Sequence, residues 1–408
     1  MYLLPALALS LYLMVPDAVA ETTFQPSILL REAYDDNIYL TADNEKDDFI
    51  TTVIPRINLG YQGNRLDLSL DYGAAFSFYA KNSRENEVRQ SGSLASRLTI
   101  SRDRFFLKLD DTYVRTQVDQ RRSTSGDSST TSLVNSTDVN TLRVNPYLQL
   151  PLTSRTTYNL GYTYENISYW NGVGDDTQNH ILATGISSQL SEKIVASLNY
   201  SYRFHRPTQS DDYDMQNVSA GLTYQVSPKL SLSGTVGQVY FNYSDPAISD
   251  SSSLVWSAKG DYKLTENLSL NGGYAVGFSD SVDQGTYESK SATAGINYSG
   301  SIPVTIVFFK TEDIYQDSNR EDRSNGVRIG TSLPLGSRMQ LKAGGMYTRY
   351  KFLPEDERTD RYSALASIEY TLRTTTFSLG YTFNSNDSNI DSNDYRDNIV
   401  YIQARLAF

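Results

Sequence analysis

The sequence predicts an all-β fold: a single-chain transmembrane antiparallel β-barrel of about 20 strands, within a range of about 18 to 22, with short turns on one side and long acidic loops on the other. Three observations predict it. The apolar residues alternate with polar ones over stretches longer than soluble strands need. The links between these stretches alternate between tight and long. The chain ends on "NIVYIQARLAF", itself a two-faced strand with a terminal phenylalanine.

Alternation is the period of a strand whose faces meet different surroundings. Leu66, Leu68, Leu70, Tyr72, Ala74, Phe76 and Phe78 stand on one parity, against Arg65, Asp67, Ser69 and Asp71 on the other. Tyr158, Leu160, Tyr162 and Tyr164 repeat the pattern, as do Ile194, Ala196, Leu198, Tyr200, Tyr202 and Phe204. Strands of soluble sandwiches run about 5–6 residues. These runs reach about 10–13, the length a tilted strand needs to cross a bilayer, and tyrosine and phenylalanine gather near their ends as interfacial girdles do.

The tight links lie at 62–64, 101–103, 152–154, 191–193, 227–229, 265–267, 335–337 and 372–374. They are short Gly/Pro/Asn/Ser turns suited to hairpins. Between them come long acidic loops such as "DDNIYLTADNEKDD" and "NSNDSNIDSNDYRD". A propeller or solenoid would not place every second loop on one side with one composition. The closing stretch puts Val400, Ile402, Ala404, Leu406 and Phe408 on the lipid parity. It is expected to pair with the first strand near "FQPSILLREAY", leaving no edge in lipid. Ile402, Leu406 and Phe408 also resemble the C-terminal signal read by the outer-membrane barrel assembly machinery.

Residues 1–20 read as a secretory leader, with an apolar stretch from Tyr2 to Val15 and Ala18-Val19-Ala20 before Glu21. No Lys or Arg precedes that stretch, so either translation starts further upstream or the leader is atypical. The barrel domain is then 21–408, and no later segment approaches the roughly 18 apolar residues of a spanning helix. Cysteine is absent, which removes disulfides and thiolate metal sites. A net charge of -11 argues against a nucleic-acid partner.

The other parity should face the lumen. Its basic residues are Arg56, Arg65, Arg89, Arg97, Lys108, Arg143, Arg203, Lys259, Lys263, Arg328, Lys342, Arg361 and Arg405, against fewer acids, namely Asp67, Asp71, Asp110, Glu165, Asp261 and Glu369. A wall of one sign enriches the opposite ion, so a basic lumen with anion preference is expected. The competing reading pairs each base with a neighbouring acid, as "KGDYK" at 259–263 suggests. A barrel this wide has a wide lumen unless something occupies it. With the first strand starting at the mature terminus, the candidate is the Ser/Thr-rich loop at roughly 117–137, which either constricts the lumen or is mobile surface.

No catalytic grouping emerges. Only His180 and His205 supply imidazole, and Ser201 lies four residues from His205 along one strand, too far for a direct bond. The "DSNIDSNDYRD" run lacks the glycine and terminal glutamate of a calcium loop. No cofactor or metal is expected.

The N-terminal stretch carries "YDDNIYLT" at Tyr34–Thr41, "FITTVIPRI" at Phe49–Ile57 and "LDYGAAFSFY" at Leu70–Tyr79. It resembles the outer-membrane β-barrel porin family associated with exopolysaccharide and PEP-CTERM (exosortase) gene clusters. The resemblance implies an outer-membrane partner of polysaccharide synthesis and export, with no catalytic residues to carry over. The expected function is a channel for a secreted, anionic exopolysaccharide, with both termini periplasmic. Its partners would be outer-membrane lipids, the assembly machinery, the polysaccharide and periplasmic export components. A general or anion-selective diffusion porin, a closed scaffold barrel and a conduit for a cytochrome are the alternatives.

Overall fold

The computed structural model describes residues 20–408 apart from 102–103, 120, 122–134, 171–172, 283 and 317. The leader expected at 1–20 therefore lies, Ala20 aside, outside the described residues, as do most of the tight turn at 101–103 and most of the loop at 117–137.

One 20-stranded antiparallel sheet makes up the fold. The first quarter comprises β1 (Glu21–Asp35), β2 (Asp48–Gln62), β3 (Leu66–Tyr79), β4 (Glu87–Ser101) and β5 (Phe105–Gln117). Next come β6 (Ser136–Pro151), β7 (Thr156–Tyr169), β8 (Thr177–Ser191), β9 (Ile194–Pro207) and β10 (Tyr213–Ser227). The third group is β11 (Leu230–Tyr243), β12 (Ser251–Lys263), β13 (Leu268–Asp280), β14 (Thr286–Tyr298) and β15 (Val304–Tyr315). The ring ends with β16 (Glu321–Pro334), β17 (Met339–Leu353), β18 (Glu357–Leu372), β19 (Thr375–Ser388) and β20 (Tyr395–Ala407).

Each strand pairs with its neighbours in sequence, and β1 pairs with β20 over Ser27↔Ala407 to Asp35↔Ile399. The sheet is thus a closed barrel, as the sequence predicts. The terminal Phe408 donates its N–H to Pro26 O at 3.0 Å, so the last residue helps to fasten the seam. Both chain ends of the barrel lie at the short-turn end.

Directly paired residues share a face, so the register carries parity around the ring. The outward face is apolar in its middle, with Leu198, Val218, Leu222, Val236, Leu254, Ile329, Leu379 and Ile402 exposed. Two bands of exposed aromatics bound it. Phe24, Tyr224, Tyr262, Tyr298, Tyr370 and Phe377 lie toward the short turns, and Phe49, Phe78, Phe204 and Tyr240 toward the long loops. Beyond the loop-end band the outer face turns ionic, with pairs Arg349–Asp360 at 2.8 Å, Lys351–Asp356 at 3.0 Å and Arg323–Glu312 at 3.5 Å. The strands therefore continue past the apolar belt only at the loop end.

Val218 and Ser219 are adjacent on β10 but point to opposite faces. Val218→Lys is expected to cost about 2–4 kcal/mol in denaturant unfolding from lipid vesicles, against under about 0.5 kcal/mol for Ser219→Lys. Equal costs would mean that the face assignment is wrong.

Candidate functional site

The inward face is the surface that any solute in the barrel would meet. Of the basic residues picked out in the sequence, Arg56, Arg89, Arg97, Lys108, Arg143, Arg203, Lys259, Lys263, Arg328, Lys342, Arg361 and Arg405 occupy strand positions on this parity. Arg65 does not: it sits exposed in the tight turn between β2 and β3, because strand pairing ends at Gln62↔Asp67. Most of the others have carboxylate partners. Arg56 meets Asp71 at 3.4 Å, Arg89 meets Glu87 at 3.1 Å, Lys108 meets Asp110 at 3.3 Å, Lys259 meets Asp261 at 3.0 Å and Lys342 meets Glu369 at 2.8 Å. Arg143 and Arg203 share Glu165.

Among the described residues the inward bases are offset by more acids than the sequence pattern counts. Asp35, Asp48, Glu87, Asp313, Asp322, Glu357 and Asp397 stand on the same inward parity. Glu87 aside, these acids fall in stretches that the sequence reading takes as acidic loops, "EDIYQDSNRED" and "LPEDERTD" among them, because each lies at the loop-end tip of its strand. Arg31 on β1 also stands on this face, outside the set that the sequence pattern picks out. The wall is consequently layered, with carboxylates crowding the loop end and bases prominent below. A cavity of about 860 Å³ in the lower part is lined by Arg31, Arg56, Arg405, Asp71, Asn58 and Gln403.

Between the charges the wall is made of short hydroxyls and amides. Asn199 and Ser201 on β9 face Ser219 and Asn217 on β10, Ser197 faces Gly221, and Thr235 on β11 faces Ser257 on β12, while Ser231 and Ser233 stand opposite Asp261 and Lys259. Tyr147 and Tyr401 face inward, where an open ring could stack on a sugar, but both rings are occupied. Tyr147 stacks on Phe106 with centroids 5.0 Å apart. The Tyr401 ring lies against Gly380 on one side, where a Cβ would collide with it, and carries the Arg31 guanidinium 4.0 Å from its centroid.

The loop end is narrowed from two directions. After β5 the chain turns across the mouth, and Asp119 accepts from Arg320 at 2.9 Å while Arg121 pairs with Glu355 at 2.9 Å. Arg361 on β18 donates to Arg121 O at 3.2 Å, and the Arg121 guanidinium lies 5.6 Å from the Phe352 ring. These partners belong to the β15–β18 arc, nearly opposite β5 in the ring. The described root of the expected infolded loop thus does reach across the lumen; its residues 122–134 lie outside the described residues.

From another side, β12 and β13 stop pairing at Trp256↔Val276, while β13 and β14 continue to Asp280↔Thr286. The released tip packs Phe278 on Phe241 at 4.8 Å and sets Asp280 3.2 Å from Arg203. Tyr213 donates to Asp280 at 3.2 Å and shares a hydrogen bond with Thr286. His205 stacks on this tyrosine at 4.3 Å and bonds Asn179 through Nδ1 at 2.8 Å. Its imidazole is therefore engaged in holding the network. Asp175 of the β7–β8 loop ties the neighbouring loops together, donating its own N–H to Val282 O. Partial burial opposes its ionisation, but the Ser210 hydroxyl and the amides of Ser210 and Gln209, with the Thr208 hydroxyl, outweigh it and hold the carboxyl below its ordinary range.

Two outcomes follow from these contacts. A depressed carboxylate pKa contributes stability above the unfolded value, near about 3.9, and loses it as pH falls through the folded one. At neutral pH, Asp175→Ala should therefore speed amide hydrogen exchange at Thr208, Gln209 and Ser210 by about tenfold or more, local opening being what exchange reads. Loosening the crossing segment with Asp119→Asn and Glu355→Gln should raise single-channel conductance in planar bilayers; unchanged conductance would mean that this crossing does not limit the pore.

No curated protein matches the chain in sequence. Several solved outer-membrane barrels share its fold. A point mutant of the ferric enterobactin receptor PfeA of Pseudomonas aeruginosa superposes with a TM-score of 0.53 at 8% identity, covering 97% of this chain and 81% of that one. The siderophore receptor PirA of the same organism gives 0.51 at 10%, covering 97% and 81%. The FrpB iron transporter of Neisseria meningitidis (F5-1 variant) gives 0.51 at 11%, covering 94% and 82%. At these identities the likeness is one of fold alone. Residues 19–145 match the family model described as "Putative beta-barrel porin 2", the porin family that the N-terminal segment resembles, and the fold of the chain matches that of bacterial outer-membrane barrels.

Proposed function

We propose that the barrel is an outer-membrane channel taking part in the secretion of an exopolysaccharide. In this reading residues 1–20 are its leader, both termini are periplasmic and the long loops face outward. The observation that carries it is the wall itself. A polyhydroxylated chain passing through water exchanges hydrogen bonds with its surroundings at every step, and short neutral hydroxyls and amides such as Ser197, Asn199, Ser219, Ser231 and Thr235 exchange them without holding on. Charges locked into pairs add little net attraction for a polymer of either sign. The case for an anionic polymer weakens accordingly, since the carboxylates at the strand tips offset the bases below them. The resemblance of the Tyr34–Tyr79 stretch to porins associated with exopolysaccharide gene clusters is a second support for the export reading.

On this reading Ile402, Leu406 and Phe408, which are exposed at the end of β20, are offered to the assembly machinery, and the short-turn mouth is offered to periplasmic export components. A general diffusion porin uses the same wall, and the paired charges favour a weakly selective one. A closed scaffold barrel gains support from the two-sided narrowing at the loop end.

The readings separate in planar bilayers carrying salt current. Dextran and polyuronate oligosaccharides, added on the short-turn side, should both enter and block the current in discrete events whose duration grows with chain length. Salt current without such events would favour the diffusion porin. Absence of current in the wild type and in the Asp119→Asn/Glu355→Gln variant would favour the scaffold.

A further inference from the structure

The closing seam of the barrel holds a group of acids with no salt bridge among the described residues. Asp35 ends β1, Asp36 follows it and Asp397 lies on the paired strand β20; one carboxylate oxygen from each lies within 4.8 Å of the others. Asp35 is 7% exposed and Asp397 2%. Among the described residues none of the three forms a salt bridge, whereas other inward carboxylates such as Glu165, Asp322 and Glu369 do. Arg31, two pleats below Asp35 on the same face, carries its guanidinium over Tyr401.

Hydrogen bonding does not make up the deficit. Asp35 Oδ1 accepts the N–H of Asn37 at 3.0 Å. Asp36 accepts the N–H and the side-chain amide of Asn398, both at 2.7 Å, which holds it across the seam. Asp397 Oδ2 accepts Asn384 Nδ2 at 3.0 Å, but Asp397 Oδ1 is buried with no donor, and so is Asn384 Oδ1 beside it. Neighbouring Asp48, directly paired with Asp35, makes the contrast. Although fully buried, it accepts the amides of Phe49, Lys81 and Ser83. Asp48 is how this protein satisfies a carboxylate with its own donors. Asp397 Oδ1 receives no N–H or hydroxyl, and the group beside Asp397 is another acid, Asp35. A buried carboxylate without a partner carries a desolvation penalty of several kcal/mol, which a structure tolerates when something else supplies the charge.

We propose that Asp35, Asp36 and Asp397 bind a divalent cation, calcium by preference, which clasps the first and last strands together at the loop end. Calcium takes oxygen ligands at about 2.3–2.6 Å, so oxygens spread over nearly 5 Å can share one ion, whereas magnesium at about 2.0–2.1 Å demands a tighter set. Three carboxylates and the free Asn384 oxygen provide hard ligands of the right kind, with water completing the shell. The seam pairing stops at Asp35↔Ile399, so the ion sits where the backbone ladder between β1 and β20 ends.

The test uses the full barrel refolded in detergent without lipopolysaccharide, titrated with calcium chloride by calorimetry at pH 7.5. One calcium per barrel is expected, with a Kd of about 10⁻⁴–10⁻³ M, the range of extracellular sites. Asp35→Asn/Asp397→Asn should weaken binding by about tenfold or more, since affinity follows ligand charge. The variant removes repulsion and so should fold, which heat-modifiable gel migration and far-UV circular dichroism would verify. Chelator should lower the wild-type Tm and leave the variant's unchanged. Wild type that ignores calcium, or a variant that binds it equally, overturns the proposal. So does a wild-type Tm that falls between pH 6 and 9 without responding to calcium, because two of the acids would then be sharing a proton.

Discussion

In hydrocarbon there is no water to receive a backbone N–H or C=O, and each one left without a partner costs several kcal/mol. Everything else in this protein depends on meeting that constraint by closure. Twenty antiparallel strands satisfy one another in order, and the β1–β20 seam turns the sheet into a ring without edges. Closure fixes parity: a residue that faces lipid on one strand forces its cross-strand partners to face lipid too. A slip of one residue would turn Val218 and Leu254 into the lumen and Ser219 and Ser257 toward lipid. The hydrophobic pattern and the hydrogen-bonded ring are thus two statements of one requirement.

The same requirement explains where the charges lie. Ionic side chains are sparse in the outer belt, where Glu32 opposite Ile402 is an exception, and accumulate inside, where water screens them, and beyond the belt at the loop end. Inside, proximity in a confined volume favours pairing, and Arg56–Asp71, Lys259–Asp261 and Lys342–Glu369 are the result. A ring this wide would leave a large opening; the segment around Asp119 and Arg121 and the β13–β14 tip reduce it at one end. Their contacts use charged side chains at the loop end, which leaves the wall of hydroxyls, amides and paired charges below intact.

The fold was legible because it is a periodic property: long alternation, short and long links in turn, and a two-faced terminal strand each report the barrel directly. The wall's charge was not, because it depends on where strands end. Asp35, Asp48, Glu357 and Asp397 belong to acidic words that read as loop, and the structure extends the strands just far enough to bring them inside. Arg65 fails in the opposite direction, a strand residue by pattern that the β2–β3 turn takes up. Contacts across the lumen, such as Asp119 with Arg320, join residues that no local pattern relates. The three acids at the seam are of the same kind, since Asp35 and Asp397 become neighbours only when the ring closes.

The central claim is that the lumen is a water-filled conduit whose wall is balanced in charge. The reversal potential of the purified barrel in planar bilayers across a salt gradient tests it most directly. The account predicts a potential close to zero, meaning weak selectivity between potassium and chloride. A large potential of the sign given by chloride flow would restore the basic lumen expected from the sequence and contradict the balance argued from the strand-tip carboxylates.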